Sequence, residues 1–417
     1  MLVFYILAAL VLVQGILSLR GGVRYLRFVR RETGARRALY MPYATVFVPC
    51  RGLDEGLWTN FAALFEQHYP AYELIFVSDD AEDPALAVAE HVRETLGERS
   101  VARMRTVVAG PARDSGQKVH NLLAALNEVA PESEVFVFVD TDARPRADWL
   151  RSLVAPLADE ALGAATGYRW FFPIKGGLAS HLLSVWNASI ASALGHNARR
   201  NFCWGGSTAI RRETFERLAV AEAWRGTLSD DYALTSVLQR AELPIRFVPD
   251  CLTPSFEDTT PRRLLEFTTR QIKITRVYAP HLWRIVLVSN LLFVVVFYGG
   301  IILAAARAAL GLRFAWPLAL VCAIFLLGTW KSFFRLRAVA LPLEDHHWNL
   351  RRGLWAHLLL WPVASALYLA NSLAALCSRR IVWRGITYRL KSPRETEIMK
   401  LETKDDAAES RAEAGRV

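Results

Sequence analysis

Val135-Phe136-Val137-Phe138-Val139-Asp140-Thr141-Asp142 is the strongest indication of the fold in this chain. Its first five residues are β-branched or aromatic without interruption, which is typical of a strand buried on both faces. Similar apolar runs occupy 45–48, 74–77 and 105–108, and amphipathic stretches of helical period separate them. Buried strands that alternate with helices predict an α/β fold with a mostly parallel, Rossmann-like sheet.

Acidic residues follow two of these predicted strands at the point where each ends. Asp79 comes after the run 74–77, and Asp140 and Asp142 follow the run 135–139. In such sheets ligands bind beyond the carboxyl ends of the strands. Two carboxylates one residue apart can hold a hard cation, Mg²⁺ or Mn²⁺, together with phosphate oxygens, and Asp79 could accept from a nucleotide base or ribose. A solvated loop is the alternative, but the position after a buried strand favours a metal site.

A second acidic pair, Asp230-Asp231, opens a stretch with apolar residues at helical spacing. Helix capping by Ser229, with acids in the first turn, would account for this pattern. A carboxylate at a helix start can also serve as a general base if it faces a cleft. Composition alone leaves both interpretations open.

The segment 1–19 carries no charge and is long enough to span a bilayer at about 1.5 Å per residue. Basic residues begin directly at Arg20. This predicts a retained anchor rather than a cleaved signal peptide, with the following residues on the cytosolic side.

Three further apolar segments lie at 285–306, 314–330 and 354–377. Three more spans would place the C-terminal tail outside. The tail is basic between 379 and 394, which is typical of the cytosolic side. A re-entrant segment is one solution to this conflict, and the sequence leaves it open.

The composition excludes several classes of protein. With 417 residues, 53% hydrophobic and 22% charged, the chain is neither disordered nor collagenous. The net charge of +10 crowds beside the apolar segments, which favours membrane lipids over nucleic acid as the partner. The five cysteines are scattered, which disfavours a disulfide framework and a thiolate zinc site.

Residues 262–276 form an amphipathic stretch with basic residues around an apolar face. Arg270 or Lys273 could neutralise a diphosphate, while binding of lipid headgroups is the alternative for most of these charges. Both interpretations can hold at once.

The predicted segments of the chain are an anchor (1–19), a basic juxtamembrane segment (20–42), the α/β domain (43–260), an interfacial amphipathic helix (261–284), about three transmembrane helices with an interfacial segment (285–377) and a basic tail with a disordered end (378–417).

These motifs, in this order, resemble family-2 glycosyltransferases of GT-A fold, and look most like the ceramide glucosyltransferase family and its bacterial relatives that glycosylate hopanoids or other lipids. The resemblance runs from the anchor to about residue 391. The blocks that carry it, besides the acids, are Pro49-Cys50-Arg51-Gly52-Leu53-Asp54, Lys118-Val119-His120-Asn121-Leu122 and Trp383-Arg384-Gly385-Ile386-Thr387-Tyr388-Arg389.

The resemblance implies a role for each matching residue. It implies that Asp231 is the catalytic base, paired with Asp230, and that Asp142 with Asp140 holds a divalent metal. Residues implied on the nucleotide-sugar side are Asp79, Lys118, Asp140, Arg270 and Lys273. Trp204 and Gly206, in the loop Trp204-Gly205-Gly206-Ser207, are implied beside the donor or acceptor.

The chain departs from the family at Arg270-Gln271-Ile272-Lys273-Ile274, where the family has (Q/R)xxRW. Lys273 supplies charge without bidentate hydrogen bonding. Ile274 replaces a tryptophan and is expected to offer an apolar surface to a lipid acceptor. The stretch 178–194 is either a lipid entry or a plain buried helix.

The resemblance implies an inverting enzyme that moves one sugar from a UDP-glucose-like donor to a lipid hydroxyl. It would lie in the bacterial inner membrane with its catalytic domain in the cytosol and no obligate protein partner. A processive polysaccharide synthase shares the fold and acids, but would need a fuller channel and the missing tryptophan. A non-catalytic scaffold is disfavoured by the intact Asp79, Asp142 and Asp231.

Overall fold

The computed structural model describes residues 1–35, 38–96 and 100–401. Its centre is a seven-stranded sheet in which the strands lie in the order β3-β2-β1-β4-β6-β5-β7. The strands are β1 (Ala44–Pro49), β2 (Tyr72–Ser78), β3 (Ala102–Val108), β4 (Val135–Phe138), β5 (Ala164–Phe172), β6 (Thr208–Arg211) and β7 (Ile245–Phe256). Neighbouring strands are parallel except that β6 runs antiparallel to β4 and β5. The predicted α/β fold with a mostly parallel sheet is confirmed.

Helices cover both faces of this sheet. They are α2 (Leu57–Phe65), α3 (Pro84–Leu96), α4 (Gln117–Ala125), α5 (Trp149–Val154), α6 (Leu178–Ala191), α7 (Arg212–Arg217), α8 (Val220–Trp224) and α9 (Asp230–Arg240), with 3₁₀ turns at Leu126–Glu128 and Ala155–Ala158. Side chains alternate between the faces, so Val46 packs under α2 and α3 while Phe47 packs under α4 and α9. Burial of each such large side chain stabilises the fold by about 1.5–3 kcal/mol.

The strand register brings distant parts of the chain to one edge of the sheet. Pro49 lies opposite Val77, and Phe47 lies opposite Phe138. Strand β6 starts at this edge, because Thr208 pairs with Phe138. The residues that follow β1, β2 and β4 and those that precede β6 therefore meet around one space.

Among the described residues, three helices are long and apolar enough to cross a membrane: α1 (Leu2–Glu32), α11 (Pro280–Ala309) and α12 (Ala315–Val339). The helix α1 continues well past residue 19, through most of the stretch predicted as a separate basic segment. Its second half remains helical because Phe28 stacks on Phe247 and Glu32 pairs with Arg246 at 2.5 Å. Arg36 and Arg37 of that basic segment lie outside the described residues.

The helix α10 (Pro261–Tyr278) precedes α11, and two shorter helices, α13 (His347–Leu359) and α14 (Trp361–Cys377), follow α12 and the 3₁₀ turn Glu344–His346. The α13–α14 pair is bent by 69°. Before it, Arg146 of the α/β domain donates to the Pro342 carbonyl at 3.2 Å. After it, the chain contacts the α/β domain again. Both ends of the pair therefore lie on the side of the α/β domain, as in a re-entrant pair, which favours that solution to the conflict in the sequence.

The segment predicted as a basic tail contains a small antiparallel sheet. Its strands are β8 (Arg380–Trp383), β9 (Ile386–Ser392) and β10 (Glu395–Leu401). Arg384 pairs with Asp54 at 2.7 Å, and the backbone amide of Gln117 donates to the Tyr388 hydroxyl at 3.2 Å. The sheet thus closes over the edge where β1 and α4 meet. The predicted disordered end, from 402 onward, lies outside the described residues.

Candidate active site

One cavity of about 1450 Å³ joins the carboxyl ends of the strands to the membrane helices. At its polar end it is lined by residues that follow β1 and β4 and by the first turn of α9. At its apolar end it is lined by α1, α11, α12 and α14. Representative lining residues are Asp54, Asp140, Asp142, Asp230, Asp231, Arg270, Phe293, Leu327 and Trp361.

Lys118 connects the two acidic motifs that the sequence singled out. Its Nζ lies 2.7 Å from Asp140 Oδ1 and 3.3 Å from Asp230 Oδ2. Burial by itself would raise the pKa of Asp140, but the Lys118 ammonium together with the charges of Arg169 and Arg384 outweighs burial and lowers it. At Asp230 burial prevails and raises the pKa to about 6, although Lys118 opposes this. The three residues form one buried, charge-paired unit.

The glycines of the loop before β6 are required by this unit. A Cβ on Gly205 would lie 2.5 Å from Asp230 Oδ2 and 2.7 Å from Lys118 Nζ, and one on Gly206 would lie 2.8 Å from Asp140 Oδ2. The ring of Trp204, in the same loop, lies 5.3 Å from that of Tyr168. The loop therefore forms a wall of the cavity directly against the acids.

Asp142 occupies a different position from Asp140. Its Oδ2 accepts from Arg169 Nη1 at 2.6 Å, while its Oδ1 is buried without a hydrogen-bond partner. Burial raises the pKa of Asp142, with Arg169 acting in the opposite direction. An unsatisfied buried carboxylate oxygen costs about 1–3 kcal/mol, and a bound cation would satisfy it.

The residues present can hold a divalent cation only where other ligands complete its coordination. Within residues 1–35, 38–96 and 100–401 no cluster of three or more His, Cys, Asp or Glu side chains could enclose a metal. Asp142, with Asp140 beside it, supplies few carboxylates. Mg²⁺ and Mn²⁺ accept such sites when phosphate oxygens and water complete the coordination.

Asp79 lies at the end of β2, but its carboxylate already forms a salt bridge with Arg51. The Arg51 Nε donates to the Arg384 carbonyl at 2.9 Å. The small C-terminal sheet is therefore connected to the predicted nucleoside side of the site.

Arg270 and Lys273 have different surroundings, although both were expected to neutralise the diphosphate. Arg270 lies 5.3 Å from the Phe267 ring and 5.6 Å from the Trp383 ring. Burial, followed by the charges of Arg169 and Arg384, lowers its pKa to about 10. These arginines therefore form a positive cluster beside the acids, where an anion would be stabilised.

Lys273 instead donates its Nζ to the Arg380 carbonyl at 2.7 Å. Its neighbour Ile274 is 6% exposed and packs with Leu228, Ile381 and Tyr388. Lys273 in this packing does not line the cavity, whereas Ile274 does, and the roles expected of the two residues stay predictions. The physical reason for this packing is that the C-terminal sheet, read as a tail in the sequence, folds onto this face of α10.

Asp231 lies half-buried at the start of α9 and lines the cavity. Its Oδ1 accepts from the Tyr232 amide at 2.7 Å and from the Ser229 hydroxyl. Ser229 therefore donates to Asp231 and makes no side-chain cap of the helix. Asp230, by contrast, is 5% exposed and paired with Lys118.

The sequence analysis gave no role to Arg169 or Arg384. Arg169 lies in β5 between Tyr168 and Trp170, so an arginine within an otherwise apolar strand was the signal that could have identified it. The stretch 178–194 contains the helix α6 and has both buried residues and residues that line the cavity, while a lipid entry there stays a prediction. Trp186 is buried and stacks on Tyr368 at 4.8 Å, while Asn187 and Ile190 line the cavity.

The family model described as Glycosyl transferase family 21 matches residues 3–396. A mannosyltransferase from Pyrobaculum calidifontis, solved with GDP-Man and Mn²⁺, is 18% identical with a TM-score of 0.47, covering 89% of this chain and 99% of that one. Glucosyl-3-phosphoglycerate synthase from Mycobacterium tuberculosis, solved with Mn²⁺ and UDP-glucose, is 16% identical with a TM-score of 0.35, covering 56% and 78%. Both TM-scores lie below 0.5, and no residue role follows from them.

Proposed function

The chain belongs to glycosyl transferase family 21 and is a glycosyltransferase, and from this premise we propose that it moves one sugar from a nucleotide-sugar to the hydroxyl of a membrane lipid. The observation that carries the proposal is the continuous cavity between the acids and the helices α1, α11, α12 and α14. A lipid can enter such a space from the bilayer while its polar end reaches the acids. Membership of an enzyme family leaves the non-catalytic scaffold without support.

The donor binds at the polar end of the cavity, on the side of Asp79. Its diphosphate lies against the positive cluster of Arg169, Arg270 and Arg384. The burial of Arg270 beside two other cations, which lowers its pKa, supports this assignment. Arg169 and Arg384 are already paired with Asp142 and Asp54, so a negatively charged group in that position would chiefly offset the burial and the neighbouring charges that lower the pKa of Arg270.

A divalent cation would be held by Asp142, with Asp140 beside it, and by the donor phosphates. When bound, it would neutralise charge on the departing nucleoside diphosphate. The buried and unpartnered Oδ1 of Asp142 supports this role. Arg169 holds the other oxygen of the same carboxylate and so keeps it oriented.

Asp231 takes the proton from the acceptor hydroxyl. Within the described residues its two hydrogen bonds both end on Oδ1, which leaves Oδ2 as the atom that accepts the proton. The acceptor oxygen then attacks the anomeric carbon from the face opposite the diphosphate, the bond to the diphosphate breaks, and the configuration inverts. No covalent sugar–enzyme intermediate is needed. Asp230, bound to Lys118, positions the loop that carries Trp204 and Gly206.

The acceptor lipid lies with its apolar part among α1, α11, α12 and α14. The large apolar residues there, such as Phe293, Leu327 and Trp361, suit an acyl chain or a polycyclic lipid. A ceramide- or hopanoid-like lipid and a UDP-glucose-like donor are the substrates that the resemblance favours. The basic residues at the end of α1 favour a cytosolic catalytic domain in a bacterial inner membrane.

Lipid analysis of cells tests this proposal. Cells with and without the protein, and cells with the Asp231→Asn variant, would be compared by mass spectrometry of total lipids. The expected result is a glycosylated lipid that requires the intact protein and is lost in the variant. Identical lipid profiles in all three, with the protein present in the membrane, would contradict it.

A further inference from the structure

Two basic side chains on α12 line the cavity and are not among the residues assigned to the donor. Lys331 and Arg335 are one turn apart on α12, and both line the cavity. Arg335 is 4% exposed. Its Nη2 donates to Ser332 on the same helix at 3.2 Å, while its Nε is buried without a hydrogen-bond partner. In the part of the chain that the structure describes, no carboxylate forms a salt bridge with either residue.

Long basic side chains near a membrane surface normally extend to water, and this would explain an exposed cation on α12. Arg337, two residues further on, is such a case, since it is exposed. Arg335 is instead enclosed by the helix bundle, and the Lys331 side chain lies along α1 beside Gly22. A buried cation without an anion is strongly disfavoured, and intramembrane charges that face a cavity usually mark a binding site.

The position of the pair connects it to the active site. Leu336, next to Arg335, belongs to the same apolar cluster as Tyr168 and Trp204. Tyr168 is adjacent to Arg169, which binds Asp142. The cationic pair therefore lines the same cavity as the acids, on the part of α12 that packs against the α/β domain.

We propose that Lys331 and Arg335 bind an anionic group, a phosphate or carboxylate, of the lipid acceptor while its hydroxyl reaches Asp231. The acceptor is then an anionic lipid. This rests on the proposed function, because it defines the acceptor class for the same site. A neutral ceramide or hopanoid, which the resemblance favours, would leave both cations unpaired in the occupied cavity, and so this inference replaces it with a lipid that carries an anionic group.

Binding without donor tests the proposal independently of catalysis. Purified full-length protein in neutral detergent would be titrated with phosphatidic acid, with diacylglycerol of the same acyl chains, and with inorganic phosphate, and bound ligand would be measured by native mass spectrometry. The expected result is that phosphatidic acid binds at least 10-fold more tightly than diacylglycerol. Equal binding of the two lipids would overturn the proposal. Binding of inorganic phosphate as tight as that of phosphatidic acid would assign the pair to a free anion and overturn the lipid part.

Variants test whether Lys331 and Arg335 cause the preference for phosphatidic acid over diacylglycerol. The preference should disappear in the double variant Lys331→Gln/Arg335→Gln. The double variant Lys331→Arg/Arg335→Lys, which preserves both charges, should retain it. Arg337→Gln, on the exposed side of the same helix, is the matched control and should behave like the wild type. Folding of each variant would be checked by its thermal unfolding midpoint, and if the glutamine double variant does not fold, the two single variants are compared instead. A preference that survives in the glutamine variants overturns the proposal.

Transfer assays distinguish the failure of this inference from that of the proposed function. The glutamine double variant should keep its rate of donor hydrolysis and lose transfer to lipid at least 10-fold. Undiminished transfer to a neutral lipid by that variant would leave the proposed function standing and overturn the anionic acceptor. Absence of transfer to any lipid by the wild type would instead contradict the proposed function, while the binding experiment would still report on the cationic pair.

Discussion

The Nζ of Lys118, in the first turn of α4, lies 2.7 Å from Oδ1 of Asp140, which comes two residues after the end of β4. The same ammonium reaches Asp230 at the start of α9. Three segments far apart in the sequence are thus fixed to one another by a buried cation. Removing one partner of such a unit leaves a buried charge uncompensated, which is strongly destabilising.

The proposed metal site predicts strict dependence on a divalent cation. Excess EDTA should abolish sugar transfer, and Mg²⁺ or Mn²⁺ should restore it. Asp142→Ala should lower the rate about 10³-fold, because it removes the charge that holds the cation against the leaving group. Glu160→Ala, at an exposed position, is the control and should leave the rate unchanged. Full activity in EDTA would show that the site works without a metal.

The two adjacent acids should behave differently when replaced. Asp231→Asn preserves shape but removes the base, so kcat should fall roughly 10²-fold or more while donor binding stays the same. Kinetics together with donor binding by calorimetry would check this. An unchanged kcat accompanied by a lower unfolding midpoint would indicate that Asp231 serves only the start of the helix.

The raised pKa of Asp230 predicts a pH-dependent contribution to stability. Since burial raises the pKa from 3.8 to about 6, the folded state retains a proton that the unfolded state has released between these two values. The contribution of this group is therefore fully present below about pH 4 and is lost as the pH rises to about 6, by roughly 3 kcal/mol at 1.36 kcal/mol per pKa unit.

Asp230→Asn removes this titration. The stability of the wild type relative to the variant should decrease from pH 4 to pH 6, as measured by denaturant unfolding in detergent. A difference that is constant over this range, or that increases with pH, would contradict the assignment.

Because the loop that contains Gly205 and Gly206 contacts the acids, activity is predicted to be sensitive to substitution at Gly205. In Gly205→Ala the new Cβ would lie 2.5 Å from Asp230 Oδ2, so the loop or the Lys118 unit must move. Activity should fall about 10²-fold, because displaced charges stabilise the transition state less well. Gly195→Ala is the matched control, since nothing lies within 4 Å of its Cβ. Equal activity of the two variants would show that the loop adapts freely.

Local patterns were enough to predict the parallel sheet and the position of Asp140 and Asp142 at its edge, because both depend on runs of apolar residues and on where they end. The pairing of Asp142 with Arg169 was not predictable, since it depends on β6 lying between β4 and β5. The surroundings of Lys273 and Ile274 depend on the folding of a distant sheet onto α10. Such long-range docking leaves no periodic signal in the sequence.

The most direct test of the account is the product formed by the purified protein. The protein would be incubated with labelled nucleotide-sugars, Mn²⁺ and a bacterial lipid extract, with Asp231→Asn as the inactive control, and the products would be separated by chromatography and identified by mass spectrometry. The account predicts a single lipid that carries one sugar, formed by the wild type and not by the variant. A ladder of products with increasing numbers of sugars would identify a processive synthase and contradict it.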